Sequence, residues 1–184
     1  EIDTIKRTGE LKSKLSGVKI PKEIGLTTDI ICVKDKNLII LGIPTAFSRS
    51  VCEEAAQYIN ADTIVVNTAK GLEKDTLKTM SEVTEESFPN NKVAILTGPS
   101  HAEEVARGVP TTVVTASKFR DVSYYVQNTL SNKTFRVYVS DDVIGCEIGG
   151  FLKNGIALSG GVWGGLGFGG NTKAAFLTRG IKEN

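Results

Sequence analysis

From Asn37 onward, short apolar runs alternate with stretches whose apolar residues recur every three or four positions. Leu38-Ile39-Ile40-Leu41 is an unbroken run of branched residues, the pattern of a strand buried on both faces, and Val51, Ala55 and Ile59 then mark one face of a helix. Residues 63–68 read as the next strand, 75–87 as a helix presenting Leu77, Met80 and Val83, and 93–96 as a third strand. A short helix follows Ser100, a strand covers 111–115, a helix presents Phe119, Val122, Val126 and Leu130, and a strand covers 135–139. Strand and helix in such succession imply a parallel sheet with helices against its faces. The residues ahead of this region are polar, rich in lysine and without a clear period.

Past Ser140-Asp141-Asp142 the pattern changes. No strand-like run follows; Ile148, Leu152, Ile156 and Ser159 repeat at helical spacing, and residues 172–182 read as another helix that the end of the chain cuts off. The expected organisation is an α/β unit over residues 1–139 and the beginning of a helical domain over residues 140–184. Because the chain opens on Glu1 rather than methionine, a partial sequence is expected.

Composition narrows the function classes. The 184 residues are 40% hydrophobic and 23% charged, enough to bury a sizeable core. Twenty-two basic residues face 21 acidic ones for a net charge of +1, so no basic surface argues for nucleic acid or an anionic membrane. The longest apolar runs, such as 38–43, are far short of the roughly 20 residues of a membrane span, and no signal peptide opens the chain, which points to the cytoplasm. Cys32, Cys52 and Cys146 are odd in number and lack CxxC spacing, as reduced thiols do, and with His101 the one histidine no metal site is expected.

Three loops follow predicted strands at their carboxyl ends, where open α/β sheets bind ligands. In the first, Ile43-Pro44-Thr45-Ala46-Phe47, proline ends the strand, and Phe47 either lies against a flat cofactor or packs into the core. In the second, Lys70 of Ala69-Lys70-Gly71 is a point charge suited to phosphate, or an ordinary solvated lysine before a turn. The third is Gly98-Pro99-Ser100-His101-Ala102-Glu103, where free amides at a helix start favour an anion that Ser100 would touch. Ser100 and Glu103 also have the S-x-x-E spacing of a capping box, which would satisfy those amides internally.

Lys153 stands apart from these, because it sits between Leu152 and Ile156 in a segment holding eleven of the 19 glycines, all within residues 145–170. It either snorkels to water or lies in a dry cleft near Lys70, where desolvation and like charge make proton exchange practicable near neutral pH. In the second case Asn154 would orient the same substrate through its amide.

GVKIPKEI, IPTAF, AKGLE, TGPSHAEEVARGVPTTVV, SDDVIGCEIGGFLKN and GLGFGGNTKAAFLTRG together resemble the bacterial-type NAD(P)-dependent glycerol-3-phosphate dehydrogenases over nearly the whole chain. GPSHAEEVA and the pairing of GGFLKN with GLGFGGNTKAA are jointly specific. The resemblance implies a Rossmann-type parallel sheet followed by an all-helical domain. It implies reversible reduction of dihydroxyacetone phosphate to sn-glycerol 3-phosphate by NAD(P)H, feeding glycerophospholipid synthesis. Lys153 would be the general acid or base; Lys70, Gly98, Ser100 and Asn154 would meet substrate; Phe47, Lys70 and Ala102 would meet cofactor. A homo-oligomer is compatible with the family, although no feature of the chain specifies one. The family's GxGxxG turn is not in the sequence, nor is the later segment with its aspartate and Arg-Asn pair. Gly155 and Gly164 stand where the family usually has a branched apolar residue and an aspartate. The alternative is a truncated relative that binds phosphate or nucleotide weakly without catalysis.

Overall fold

The computed structural model describes residues 1–183, with every side chain there except those of Asn154, Ile181 and Glu183; Asn184 lies outside it. Helix α1 (Ile2–Thr8) and a single 3-10 turn (Ile30–Val33) precede the sheet, so one helix forms where the sequence shows no period. The strands are β1 (Leu38–Leu41), β2 (Ile64–Asn67), β3 (Val93–Thr97), β4 (Thr111–Ala116) and β5 (Phe135–Ser140), lying side by side in chain order. Between them run α2 (Thr45–Ala55), α3 (Met80–Ser87), α4 (Ala102–Ala106) and α5 (Arg120–Leu130). The long α6 (Val143–Gly165) and α7 (Gly170–Glu183) complete the chain.

The expected parallel sheet needs one correction. β1, β2 and β3 are parallel and so are β4 and β5, but β4 runs antiparallel to β3, with Thr97 opposite Val114 and Ile95 opposite Ala116. The connection explains it. α4 has five residues and rises only about 7.5 Å, short of the roughly 17 Å length of a five-residue strand such as β3. It cannot carry the chain back to the start of the sheet, so the next strand forms in the opposite sense.

β2 is the centre of the core. Val65 and Val66 are both fully buried, and because successive strand residues face opposite ways, each seeds a different layer. On one face Val65 packs with Leu41, Cys52, Ala55 and Phe88; on the other Val66 packs with Ala94, Val122 and Val126. The sheet is thus covered by helical residues on both sides, as the unbroken apolar strands require.

Two helix starts differ from expectation. α3 begins at Met80, not near residue 75, because Thr79 accepts from the Glu82 amide while the Glu82 carboxylate accepts from the Thr79 amide, a complete capping box. Leu77 therefore lies outside the helix, 69% exposed and in left-handed backbone at φ 57. Phe119 is the residue before α5 and is exposed, so the buried face of that helix is Val122, Ser123 and Val126. Ile59 likewise falls past the end of α2.

α6 is started by Asp142, whose carboxylate accepts from the Gly145 amide at 2.8 Å. It packs against β3 and β4, and α7 returns along it with Gly180 against the Ile156 side chain.

Candidate active site

The carboxyl ends of β1, β2 and β3 point to one edge of the sheet, which brings the three candidate loops together. The loop after β2 is fixed from several sides. Buried Asn67 accepts from the Ala69 amide at 2.8 Å and donates to Thr84 at 2.9 Å, and Thr68 donates to the Leu41 carbonyl at 3.0 Å. Farther along, Glu73 receives a two-pronged contact from Arg49 of α2 at 2.7 and 2.8 Å, and Arg49 also reaches Glu86 of α3 at 2.9 Å. The Arg49 guanidinium and the Thr76 hydroxyl hold the Glu73 carboxyl down to about 2. Gly71 lies against Thr45 at the start of α2, so the lysine loop and the loop after β1 touch.

Lys70 issues from this braced loop and donates to the Gly98 carbonyl at 2.9 Å. Lys153, near the middle of α6, donates to the same oxygen at 3.4 Å. Burial first, and the charge of Lys153 second, push the Lys70 ammonium below the ordinary lysine range, although the residue as a whole stays exposed. Gly98 is required at the focus. Its φ of +147 suits glycine alone, and a Cβ would come within 2.9 Å of the Val113 backbone on β4.

The remaining candidates divide. Lys70, Ser100 and Ala102 line one cavity of about 470 Å³ with Thr68, Leu96 and Val113. Lys153 and Gly98 line a second, of about 410 Å³, with Thr97, Cys146 and Gly150. Phe47 is in the first turn of α2 and 60% exposed, so the core-packing alternative is corrected, and it lines neither of these cavities. Asn154 lies on α6, but its side chain is outside the described residues. The Ser100–Glu103 capping box does not form. His101 precedes α4 without a side-chain cap, the Glu104 and Val105 amides donate to the His101 carbonyl, and the Ser100 hydroxyl turns to the Gly98 carbonyl at 3.4 Å. A larger cleft, about 840 Å³, is elsewhere, between α1 and residues 19–26, and contains no strand end.

Sequence reasoning missed the residues that brace the site. Arg49 and Glu73 are far apart in the chain and no spacing pairs them, whereas the T-x-x-E of Thr79 and Glu82 was a readable signal for the start of α3. Among the described residues no group of three or more His, Cys, Asp or Glu is arranged to hold a metal, and no helix is long and apolar enough to cross a membrane.

Residues 1–123 match the family model described as the NAD-dependent glycerol-3-phosphate dehydrogenase N-terminus, and residues 142–184 match its C-terminus counterpart. The chain belongs to this family. The glycerol-3-phosphate dehydrogenase (NAD(P)+) of Fusobacterium nucleatum is 46% identical over 100% of the chain and 56% of its own length. That of Agathobacter rectalis is 47% identical over 100% of the chain and 55% of its own length. The crystal structure of the glycerol-3-phosphate dehydrogenase from Coxiella burnetii is 31% identical and superposes with a TM-score of 0.88, covering 99% of the chain and 56% of that protein. The Saccharomyces cerevisiae glycerol-3-phosphate dehydrogenase superposes at 0.86 with 26% identity, covering 99% of the chain and 55% of that protein. The sheet and its flanking helices are thus the Rossmann-type arrangement of the glycerol-3-phosphate dehydrogenase family, and the chain spans about half the length of the curated relatives it matches.

Proposed function

We propose that this chain supplies the lysine-bearing part of the active site of an NAD(P)-dependent glycerol-3-phosphate dehydrogenase, which reduces dihydroxyacetone phosphate reversibly to sn-glycerol 3-phosphate for glycerophospholipid synthesis. The supporting observation is the meeting of Lys70 and Lys153 at the Gly98 carbonyl, on the sheet edge where open α/β folds bind ligands. Two ammonium groups that share one neutral acceptor have charge to spare for an anionic substrate.

Lys153 holds the proton. As the substrate carbonyl carbon gains a hydride, negative charge grows on its oxygen, and the Lys153 ammonium polarises that oxygen and then protonates it. In the reverse direction the neutral amine takes the proton from the hydroxyl. Lys70 meets the phosphorylated substrate and the cofactor as a fixed positive charge, with Gly98 and Ser100 beside it and Asn154 orienting the triose. NAD(P)H, when bound, supplies the hydride. The exposed ring of Phe47 at the head of α2 and the open wall at Ala102 fit a flat dinucleotide at this edge.

In this reading residues 1–139 are the dinucleotide-binding domain without its first strand-helix unit, and residues 140–184 begin the helical substrate domain. The enzyme works in the cytoplasm. Apolar Leu158 and Val162 on α6, and Leu166 just past its end, are left exposed, which suits burial against the rest of a longer protein or a second copy. The non-catalytic alternative is not favoured, since relatives at 46–47% identity carry the dehydrogenase name and the lysine pair is assembled.

The test is expression of the full coding sequence and measurement of NADPH and NADH oxidation with dihydroxyacetone phosphate, against unphosphorylated dihydroxyacetone as control. Turnover confined to the phosphorylated ketone is expected. Lys153→Ala should lower kcat by about 10²–10⁴-fold, the usual worth of a general acid, and near-normal turnover would remove it from the mechanism.

A further inference from the structure

We propose that Glu147 is a positioning residue that sets where Lys153 sits, an inference that rests on the proton-transfer role given to Lys153 above. Glu147 is on α6, and its carboxylate accepts from the Ser81 amide at 2.8 Å and from the Ser81 hydroxyl at 2.6 Å. Ser81 is the second residue of α3 and only 5% exposed. Its amide is one of the first-turn donors that a helix cannot satisfy itself, and the positive end of the α3 dipole favours a carboxylate there. The Thr79–Glu82 capping box leaves this amide to Glu147.

The contact belongs to a series along one side of α6. Glu147 grips α3, Gly150 lets the helix backbone settle on Thr97 at the end of β3, and Lys153 reaches the Gly98 carbonyl. Three positions separate each from the next, so the series spans about 9 Å of helix. The Gly150 contact is close: a Cβ there would meet the Thr97 hydroxyl at 2.5 Å. Glycine on Thr97 permits approach but holds nothing, and Lys153 makes a long hydrogen bond. Glu147 alone in the series makes two short, charge-assisted contacts to a buried partner. Glu147 also lines the small cavity formed with Ala69, Lys70 and Gly71, so the carboxylate that anchors α6 stands behind the loop that presents Lys70. The anchor therefore registers one lysine against the other.

Removing the carboxylate leaves the buried Ser81 amide without its acceptor and lets α6 shift on β3. A displacement of about 1 Å at a reacting group is enough to lower turnover roughly a hundredfold.

The experiment uses the full-length enzyme with Glu147→Ala, Glu147→Gln and Ser81→Ala, each alone and combined with Lys153→Ala. Glu147→Ala should lower kcat by about ten- to a hundredfold with the KM for NAD(P)H unchanged. Glu147→Gln, which can still accept from the amide and turn its own NH₂ to the hydroxyl, should recover most of that loss. In the Lys153→Ala background neither change should lower kcat further, because the residue being positioned is gone. The Ser81 amide should exchange with deuterium faster in Glu147→Ala. Losses that add to that of Lys153→Ala, or full kcat in Glu147→Ala, overturn the positioning role. Near-normal turnover of Lys153→Ala by itself overturns the catalytic reading beneath it. Should Glu147→Ala not fold, Ser81→Ala, which removes one contact and keeps the other, carries the same comparison.

Discussion

Lys70 and Lys153 direct their ammonium groups at one oxygen, the carbonyl of Gly98, from opposite sides of the chain's architecture: one leaves a loop of the sheet, the other the middle of α6. A single carbonyl cannot neutralise two cations, so the arrangement holds repulsion that an anion entering between them relieves.

That repulsion can be read directly. Lys70 is pushed below the ordinary lysine range by burial and then by Lys153. With a folded pKa under the unfolded one, the unfolded chain binds the extra proton in the interval between them, so stability rises with pH across that interval. Lys153→Met should move the Lys70 pKa upward and flatten the rise. NMR titration of lysine side-chain carbons, with melts across the alkaline range, checks both; an unmoved Lys70 contradicts the coupling.

The same substitution should have opposite effects at two glycines. Gly155 lies inside α6 with open space where a Cβ would go, so Gly155→Ala should stabilise by about 1 kcal/mol, the helix-propensity difference. Gly98→Ala places a Cβ 2.9 Å from the Val113 backbone at a φ of +147 and should destabilise by about 1–3 kcal/mol. Denaturant unfolding of both variants beside the parent decides the signs.

How much of this was legible in sequence depends on how far apart the interacting residues lie. All five strands were readable, since apolar runs such as Leu38–Leu41 mark a strand by composition, but the burial expected on both faces of that run is corrected: β1 is an edge strand with Leu41 buried and Ile40 exposed. The direction of β4 was not readable, because it follows from the shortness of α4, and a five-residue helix has too little periodicity to be sized by eye. Lys70, Gly98 and Lys153 each stood out locally, and the structure brings the three together. Arg49, Glu73, Ser81 and Glu147 did not, because a polar residue looks the same in sequence whether it faces solvent or a partner across the fold. At Ser100 a valid local pattern was overridden, with His101 taking the helix start and the hydroxyl turning back to Gly98.

Acid should unlock the loop that carries Lys70. Glu73 is held at about 2 against an ordinary 4.5, so its contribution to stability is complete above 4.5 and lost as the pH falls toward about 2. Glu73→Gln should lower the melting temperature at neutral pH and change little at pH values below that window, where the parent has lost the same contribution. Parallel melts down the acid range test this. Curves separated by the same amount at every pH would show that the Arg49 contact contributes nothing.

The cysteines should react in order of burial. Cys52 is fully buried among Leu41, Ala55 and Phe88, and burial pushes its thiol up to about 11. Cys32 is exposed and Cys146 half-buried with its thiol also raised by burial. Iodoacetamide at mildly alkaline pH should label Cys32 first, Cys146 more slowly and Cys52 only once the core opens. Mass spectrometry of timed samples, with and without denaturant, gives the order, and early labelling of Cys52 would contradict the packing around β2.

The reversal between β3 and β4 determines where the chain is when α6 begins. Ser140, the last residue of β5, is level with Ala116 and through it with Ile95, short of the carboxyl edge. α6 therefore travels outward along β3 and reaches the Gly98 carbonyl with Lys153 ten residues after Val143, about 15 Å of helix at 1.5 Å per residue. Distance and rotation are tied together over that length: one residue inserted between Asp142 and Glu147 would advance the lysine by 1.5 Å and swing it by about 100°. The length of the helix start thus acts as a measuring rod, and the chain can change residues there far more freely than it can change their number.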